Sequence, residues 1–145
     1  MLASKTDIQA WLASDKILVD DNNSNKPNIE AERTIRGQLS GVFSVITLQS
    51  WADPNSTPAQ IRSIAGRLAA AFLYRAIYSE ESQNIPVYAQ NLYNEAIGML
   101  QDIRSGNLIV LDSSSNPVDT TGANVIGFWP DDTTSPKFTM DQIFA

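Results

Sequence analysis

The stretch Thr57–Tyr78, TPAQIRSIAGRLAAAFLYRAIY, decides the fold. Thr57 is placed to cap a helix, Pro58 suits the first helical position, and Gln60 stands where a capping box reaches back. Ile61, Ile64, Ala65, Leu68 and Phe72 share one helical face. From Leu68 onward Ala69, Leu73, Ala76 and Ile77 fill a second face. A helix apolar on nearly every side is buried, within its own domain or between subunits. What remains is a stripe at helical spacing, Arg67, Ala71, Tyr74, Arg75 and Tyr78.

Outward from this central helix, the chain supplies three more helical segments. Thr6-Asp7-Ile8-Gln9 reads as a capping box opening a short helix from about Asp7 to Ala13, with Ile8, Trp11 and Leu12 on one face. Asn28 is placed to cap a second helix, from about Ile29 to Val45, whose apolar face is Ile35, Leu39, Val42, Phe43 and Ile46. Its other side carries Gly37 and Gly41. Each glycine costs a helix about 1 kcal/mol relative to alanine, so the pair is expected to admit a close neighbour, either another helix of the same subunit or a neighbouring subunit. Ile85-Pro86 opens the last helix, which runs to about Ser105 and is closed by Gly106. Leu92, Ala96, Met99 and Ile103 face inward there, while Asn91, Asn94, Glu95, Gln101 and Asp102 face water. It pairs with the central helix as an antiparallel hairpin through the polar turn Glu80–Asn84.

The predicted fold is therefore all-α: a four-helix bundle with a long central antiparallel helix pair, followed by a C-terminal extended strand and arm. The boundary falls at Gly106, with residues 1–106 as the bundle and 107–145 as strand and arm. Leu108–Leu111 reads as a short strand and Ser113–Pro117 as a turn. Phe128 and Trp129 lie in a punctuated apolar run. The last residues carry Phe138, Met140, Ile143 and Phe144. So many large apolar side chains near a terminus need somewhere to go, either the subunit's own core or a partner.

Composition narrows the chemistry. The chain has 145 residues and neither cysteine nor histidine. Disulfides, thiolate nucleophiles and histidine-based catalysis or metal binding are therefore excluded. Ten basic residues stand against sixteen acidic ones, a net charge of −6, which argues against a dedicated nucleic-acid binder. No apolar run approaches the roughly 20 residues of a membrane span, and the start lacks the apolar core of a signal peptide, so synthesis in the cytosol is expected. Asp21, Asn23, Asn25 and Glu32 have the spacing of a calcium loop, but Lys26 holds the glycine position and Pro27 follows it. The stretch Asp20–Asn28 reads as a plain polar surface loop, or as a degenerate cation site. Glu80 and Glu81 read as a solvated pair, since nothing apolar nearby raises a carboxyl pKa. No cofactor, metal or catalytic residue is expected, and the chain is not read as an enzyme.

The order of parts resembles the head-tail connector, or adaptor, proteins of tailed bacteriophages, and among them the Mu-like prophage connectors. The resemblance rests on Asp7-Ile8 and Trp11, on Ile17–Asp20 with its polar loop, and on Ile29-Glu30-Ala31-Glu32. It continues through Ile61, Ile64, Ala65 and Leu68 to Tyr74-Arg75 and Tyr78, then Asp102–Gly106 into Leu108, and Phe138-Thr139-Met140. These are loose patterns that cover most of the chain. Members of that family often carry a more acidic, glycine-containing loop than Asp20–Asn28, which weakens the calcium reading. The resemblance implies a structural virion protein at the neck between capsid and tail, forming a dodecameric ring below the portal and extending the DNA channel. Its implied partners are the portal protein, neighbouring copies of itself, and a tail terminator or stopper protein. DNA would pass without specific binding, which suits an acidic chain. The arm with Phe128, Trp129, Phe138, Met140, Ile143 and Phe144 would dock on the portal or a neighbouring subunit. Gly37 and Gly41, with Arg67, Tyr74, Arg75 and Tyr78, would be candidates for the subunit interface, the arginines being otherwise solvated or internally paired. A small helical regulator that binds another protein without forming rings is the alternative.

Overall fold

The computed structural model describes residues 1–12, 19–78 and 87–120. They form five helices: α1 (Lys5–Gln9), α2 (Asp21–Leu39), α3 (Val45–Ser50), α4 (Ala59–Tyr78) and α5 (Val87–Ser105). The chain is all-α, as predicted, but the count and several boundaries differ. Three long helices carry the body, and α1 and α3 are short additions to it.

α4 is the axis. Ile61, Ile64, Ala65, Gly66, Leu68, Ala69, Ala70, Ala71, Leu73 and Tyr74 are all buried, because α1, α2 and α5 each pack against a different side. The apolar surround of this helix is thus covered within the subunit except at its last turn, where Ala76 and Ile77, expected to be buried, are exposed. α5 runs antiparallel to it: Arg67 meets Met99, and Tyr74 meets Tyr88. α2 lies on another flank, its first turns beside Phe72–Ile77. Arg104 near the end of α5 reaches Gln38 near the end of α2 at 2.9 Å, so these two helices run parallel.

α1 begins two residues earlier than predicted and ends at Gln9. Its capping box is Ser4 with Asp7 rather than Thr6 with Gln9: the Ser4 hydroxyl accepts from the Asp7 N–H and the Asp7 carboxylate accepts from the Ser4 N–H. An aspartate at the third helical position does the work expected of glutamate or glutamine. Ala10–Leu12, expected to be helical, form a turn and a bend, and Ala13, Ile17 and Leu18 lie outside the described residues.

The largest correction is α2. Asp20 and Asn23 form a capping box, and the helix starts at Asp21, through the stretch taken for a loop. Pro27 sits inside it and supplies no N–H to the helical ladder. Asn28 is not a cap but a buried member of the helix body, donating from Nδ2 to the Ala3 carbonyl at 2.9 Å. Ser24, Pro27, Asn28, Ala31, Ile35 and Leu39 form the inward stripe. The calcium spacing dissolves with the loop. Successive odd-numbered side chains on a helix point about 200° apart. Asp21 pairs with Lys5, Asn23 closes the cap, and Glu32 pairs with Arg36 at 2.8 Å.

α2 also stops early. Ser40 ends it, a turn follows, and Ser44 caps α3, accepting from the Thr47 N–H. Ile46, expected on the inner face of a longer helix, is instead 79% exposed. Phe43 remains in the core and packs edge-on against Trp51, ring centroids 5.3 Å apart. Arg36 ties the segment down. It donates to the Leu48 carbonyl, and to the Trp51 carbonyl at 2.8 Å. A cation thus meets the unsatisfied carbonyls at the end of α3.

Gly106 closes α5 with φ +83°, and the Asn107 and Leu108 N–H groups turn back to the Asp102 carbonyl. After it the chain makes a minimal hairpin instead of a regular strand. Leu111 bridges Pro117, Val118 donates to the Val110 carbonyl at 2.8 Å, and Ser115 takes the left-handed turn position at φ 63°. Val110 is buried in the same core as the helices.

Gln60 holds this hairpin to α4. Its Nε2 donates to the Ile109 carbonyl at 2.8 Å, and its Oε1 accepts from the Leu111 N–H at 2.7 Å. The side-chain amide stands in for a neighbouring strand, so it is not available for the capping box expected of it. Thr57 likewise donates to the Asp53 carbonyl instead of capping. Gln60→Ala should free the hairpin locally. Amide exchange at Leu111 is expected to rise about tenfold while global stability falls by only about 1 kcal/mol, the worth of exposed hydrogen bonds. Unchanged exchange at Leu111 would show that the amide clamp is not what holds the hairpin.

Candidate interaction surfaces

The stripe singled out on α4 divides in two. Arg67 faces inward between α1 and α5. Its guanidinium lies 4.3 Å from the Trp11 ring centroid, Nη1 donates to the Met99 sulfur at 2.8 Å, and Nε is 3.8 Å from Glu95. Tyr74 continues that seam. It is buried, stacks on Tyr78 at 6.0 Å and meets Tyr88 edge-on at 5.9 Å. Tyr88 in turn donates from its hydroxyl to the Trp11 carbonyl at 3.0 Å. Partial burial raises the Tyr88 phenol pKa, with Tyr74 and Glu95 adding to the effect, and keeps it a donor. The structure therefore brings Arg67, Tyr74 and Tyr78 together as an internal seam across three helices.

Arg75 belongs to a different surface. One residue along from Tyr74 it turns outward, with its guanidinium 5.7 Å from the Phe72 centroid and 5.6 Å from that of Tyr93.

Gly37 and Gly41 are both exposed, and a Cβ built on either meets nothing within 4 Å among the described residues. No described helix crosses there, and the early end of α2 leaves Gly41 in a turn. The close approach is at Gly66 instead. A Cβ there would lie 2.8 Å from the Asp7 carbonyl oxygen and 3.3 Å from Trp11 Cδ1. Nothing in the sequence marks Gly66, which sits among alanines where one more small residue carries no signal. Phe128, Trp129, Phe138, Met140, Ile143 and Phe144 lie outside the described residues.

Exposed apolar side chains gather at two ends of the body. Val45, Ile46, Ile109 and Leu111 mark one end, beside a groove lined by Gly41, Val42, Phe43, Leu108 and Val118. At the other end, Ile77 lines a groove between α2 and α4 with a volume of about 530 Å³. A third hollow, between α3, the 51–58 loop and the hairpin, is lined mostly by hydroxyls, amides and carboxylates, and by Arg62. Arg62 is already engaged, donating to Asp7 at 2.9 Å. Among the described residues no three acidic side chains converge as a metal site, and no described helix is long and apolar enough to cross a membrane.

No protein-family model, curated protein or solved structure matches this chain.

Proposed function

We propose that this protein is a structural adaptor subunit of a tailed-phage virion, not an enzyme. It forms a ring below the portal, lengthens the DNA channel and offers the tail terminator or stopper protein a surface. The reading starts from the resemblance in sequence order. The observation that carries it in the structure is the pair of unlike apolar ends. The Val45–Ile46–Ile109 end and the α2/α4 groove are built from different residues on different helices. Joining unlike patches head to tail makes a heterologous interface, which closes as a ring when the rotation allows. Exposed Gly37 and Gly41 leave that side of α2 open to a neighbouring subunit. The acidic balance lets DNA slide past with few phosphate contacts.

Location tests the proposal. An antibody to the chain should label a single neck between capsid and tail on purified particles. Quantitative mass spectrometry should count about a dozen copies per particle, the ring number that the resemblance implies. Deleting Phe138–Ala145 should leave a folded helical subunit that no longer joins the portal. Absence from particles would overturn the adaptor reading. A complex with two or a few copies would favour a helical regulator of another protein instead.

A further inference from the structure

The distribution of cations picks out one groove. Lys5, Arg36, Arg62 and Arg67 each have a carboxylate within ion-pair distance, and Arg104 is held by Gln38. Among the described residues Lys26, Arg33, Arg75 and Arg104 have no such acidic partner. Lys26 and Arg75 line the groove between the first turns of α2 and the last turns of α4, and Arg33 lies two helical turns along α2 from Lys26. The floor between them is apolar, built from Pro27, Phe72, Leu73 and Ile77. Two of these four, Lys26 and Arg75, thus flank one apolar trough, against the single carboxylate of Glu30 on its lining. Such a trough fits a segment that is itself apolar and acidic.

The chain contains one. Asp131–Phe144 carries Asp131, Asp132 and Asp141 against the single Lys137, together with Phe138, Met140, Ile143 and Phe144. From Thr120, which lines the groove at the other end of the body, the chain as far as Phe144 reaches about 80 Å when extended. α4 is only about 30 Å long at the helical rise. The segment can therefore reach the α2/α4 groove of its own copy or of a neighbour.

We propose that the α2/α4 groove flanked by Lys26 and Arg75 is the docking site for the Asp131–Phe144 segment of this chain. The apolar side chains fill the trough, and the aspartates meet the two cations. This deepens the arm's part in the adaptor reading but needs only the groove and the tail, so absence of the protein from particles would leave it standing.

Thiol trapping tests it in the full-length protein, which has no cysteine of its own. One variant carries Ile77→Cys with Ile143→Cys. The control carries Ile46→Cys with Ile143→Cys, placing the first thiol at the opposite, well-exposed end. Under mild oxidation the Ile77 pair should form its disulfide at least about tenfold faster than the control, as expected of a docked rather than a diffusing segment. Adding Lys26→Glu and Arg75→Glu should remove most of that advantage while leaving the melting curve unchanged, since both side chains are exposed. A linked product of monomer mass identifies the same copy as donor, one of dimer mass a neighbour, and either supports the docking. Equal rates for the two pairs, no disulfide at Ile77, or an advantage that survives the charge reversal would overturn it.

Discussion

Replacing Gly66 with valine should unseat α1 from the body. The Asp7 carbonyl oxygen lies 2.8 Å, and its carbonyl carbon 3.2 Å, from where a Cβ would be. Both are backbone atoms, so no side-chain rotation relieves the clash. α1 must move, and its movement disturbs Ile8, which is 1% exposed, and Trp11, on which Arg67 rests. Overpacking of this kind costs about 1–3 kcal/mol. Gly66→Val belongs at the upper end of that range. Gly66→Ala falls lower, because alanine recovers about 1 kcal/mol of helix propensity. Gly37→Ala is the matched control. It lies in α2, meets nothing within 4 Å, and should gain about 0.5–1 kcal/mol from propensity alone. Urea unfolding at constant slope checks the opposed signs. If Gly66→Ala stabilised the protein as much as Gly37→Ala, α1 could not be packed on α4 as described.

The two glycine positions also show what was legible in the sequence. A glycine pair four apart in an expected helix looked like a crossing point, yet Gly37 and Gly41 face open space, whereas the crossing uses an isolated glycine in an alanine run. Periodicity reports which residues are apolar, not which backbone comes near. It located α4 and α5 almost to the residue, since long apolar faces and a terminal glycine are local signals. It missed the first two turns of α2, where Asp, Asn, Ser and Pro form the helix against their own propensities. The Asp20–Asn23 capping box, the burial of Ser24, Pro27 and Asn28, and the Asn28 bond to the Ala3 carbonyl override those propensities. The same limit applies to the stripe on α4. Sequence spacing put Arg67, Tyr74, Arg75 and Tyr78 on one surface. Only packing against Trp11, Tyr88 and Met99 separates the inward three from Arg75.

Asp7→Ala should cost about 2–3 kcal/mol at neutral pH, and that deficit should shrink in acid. The estimate combines the loss of a capping box, about 1 kcal/mol, with the loss of a charge-assisted hydrogen bond, about 1.5–3 kcal/mol less what exposure screens away. The Asp7 carboxylate accepts from the Ser4 N–H at 2.8 Å, from the Ser4 hydroxyl at 2.7 Å and from Arg62 at 2.9 Å. Partial burial alone would push its pKa up. The hydrogen bonds from Arg62 and Ser4, with the Arg62 charge, outweigh that and hold it below the ordinary aspartate value. Because the folded pKa lies below the unfolded one, about 3.9, this stabilisation is present above pH 4. It drains away as pH falls through the folded value, where the native state must also take up the proton. Wild type and Asp7→Ala should therefore converge as pH falls below the unfolded value, while Asp7→Asn, which keeps an acceptor but no charge, should run between them with a flatter profile. The readout is the urea midpoint from about pH 2.5 to 7. A deficit that stayed constant over that range would mean Asp7 contributes shape to the α1–α4 contact and not charge. In that event the Ser4–Asp7–Arg62 cluster could not be what fixes α1 electrostatically, and the burden would pass to the packing at Gly66.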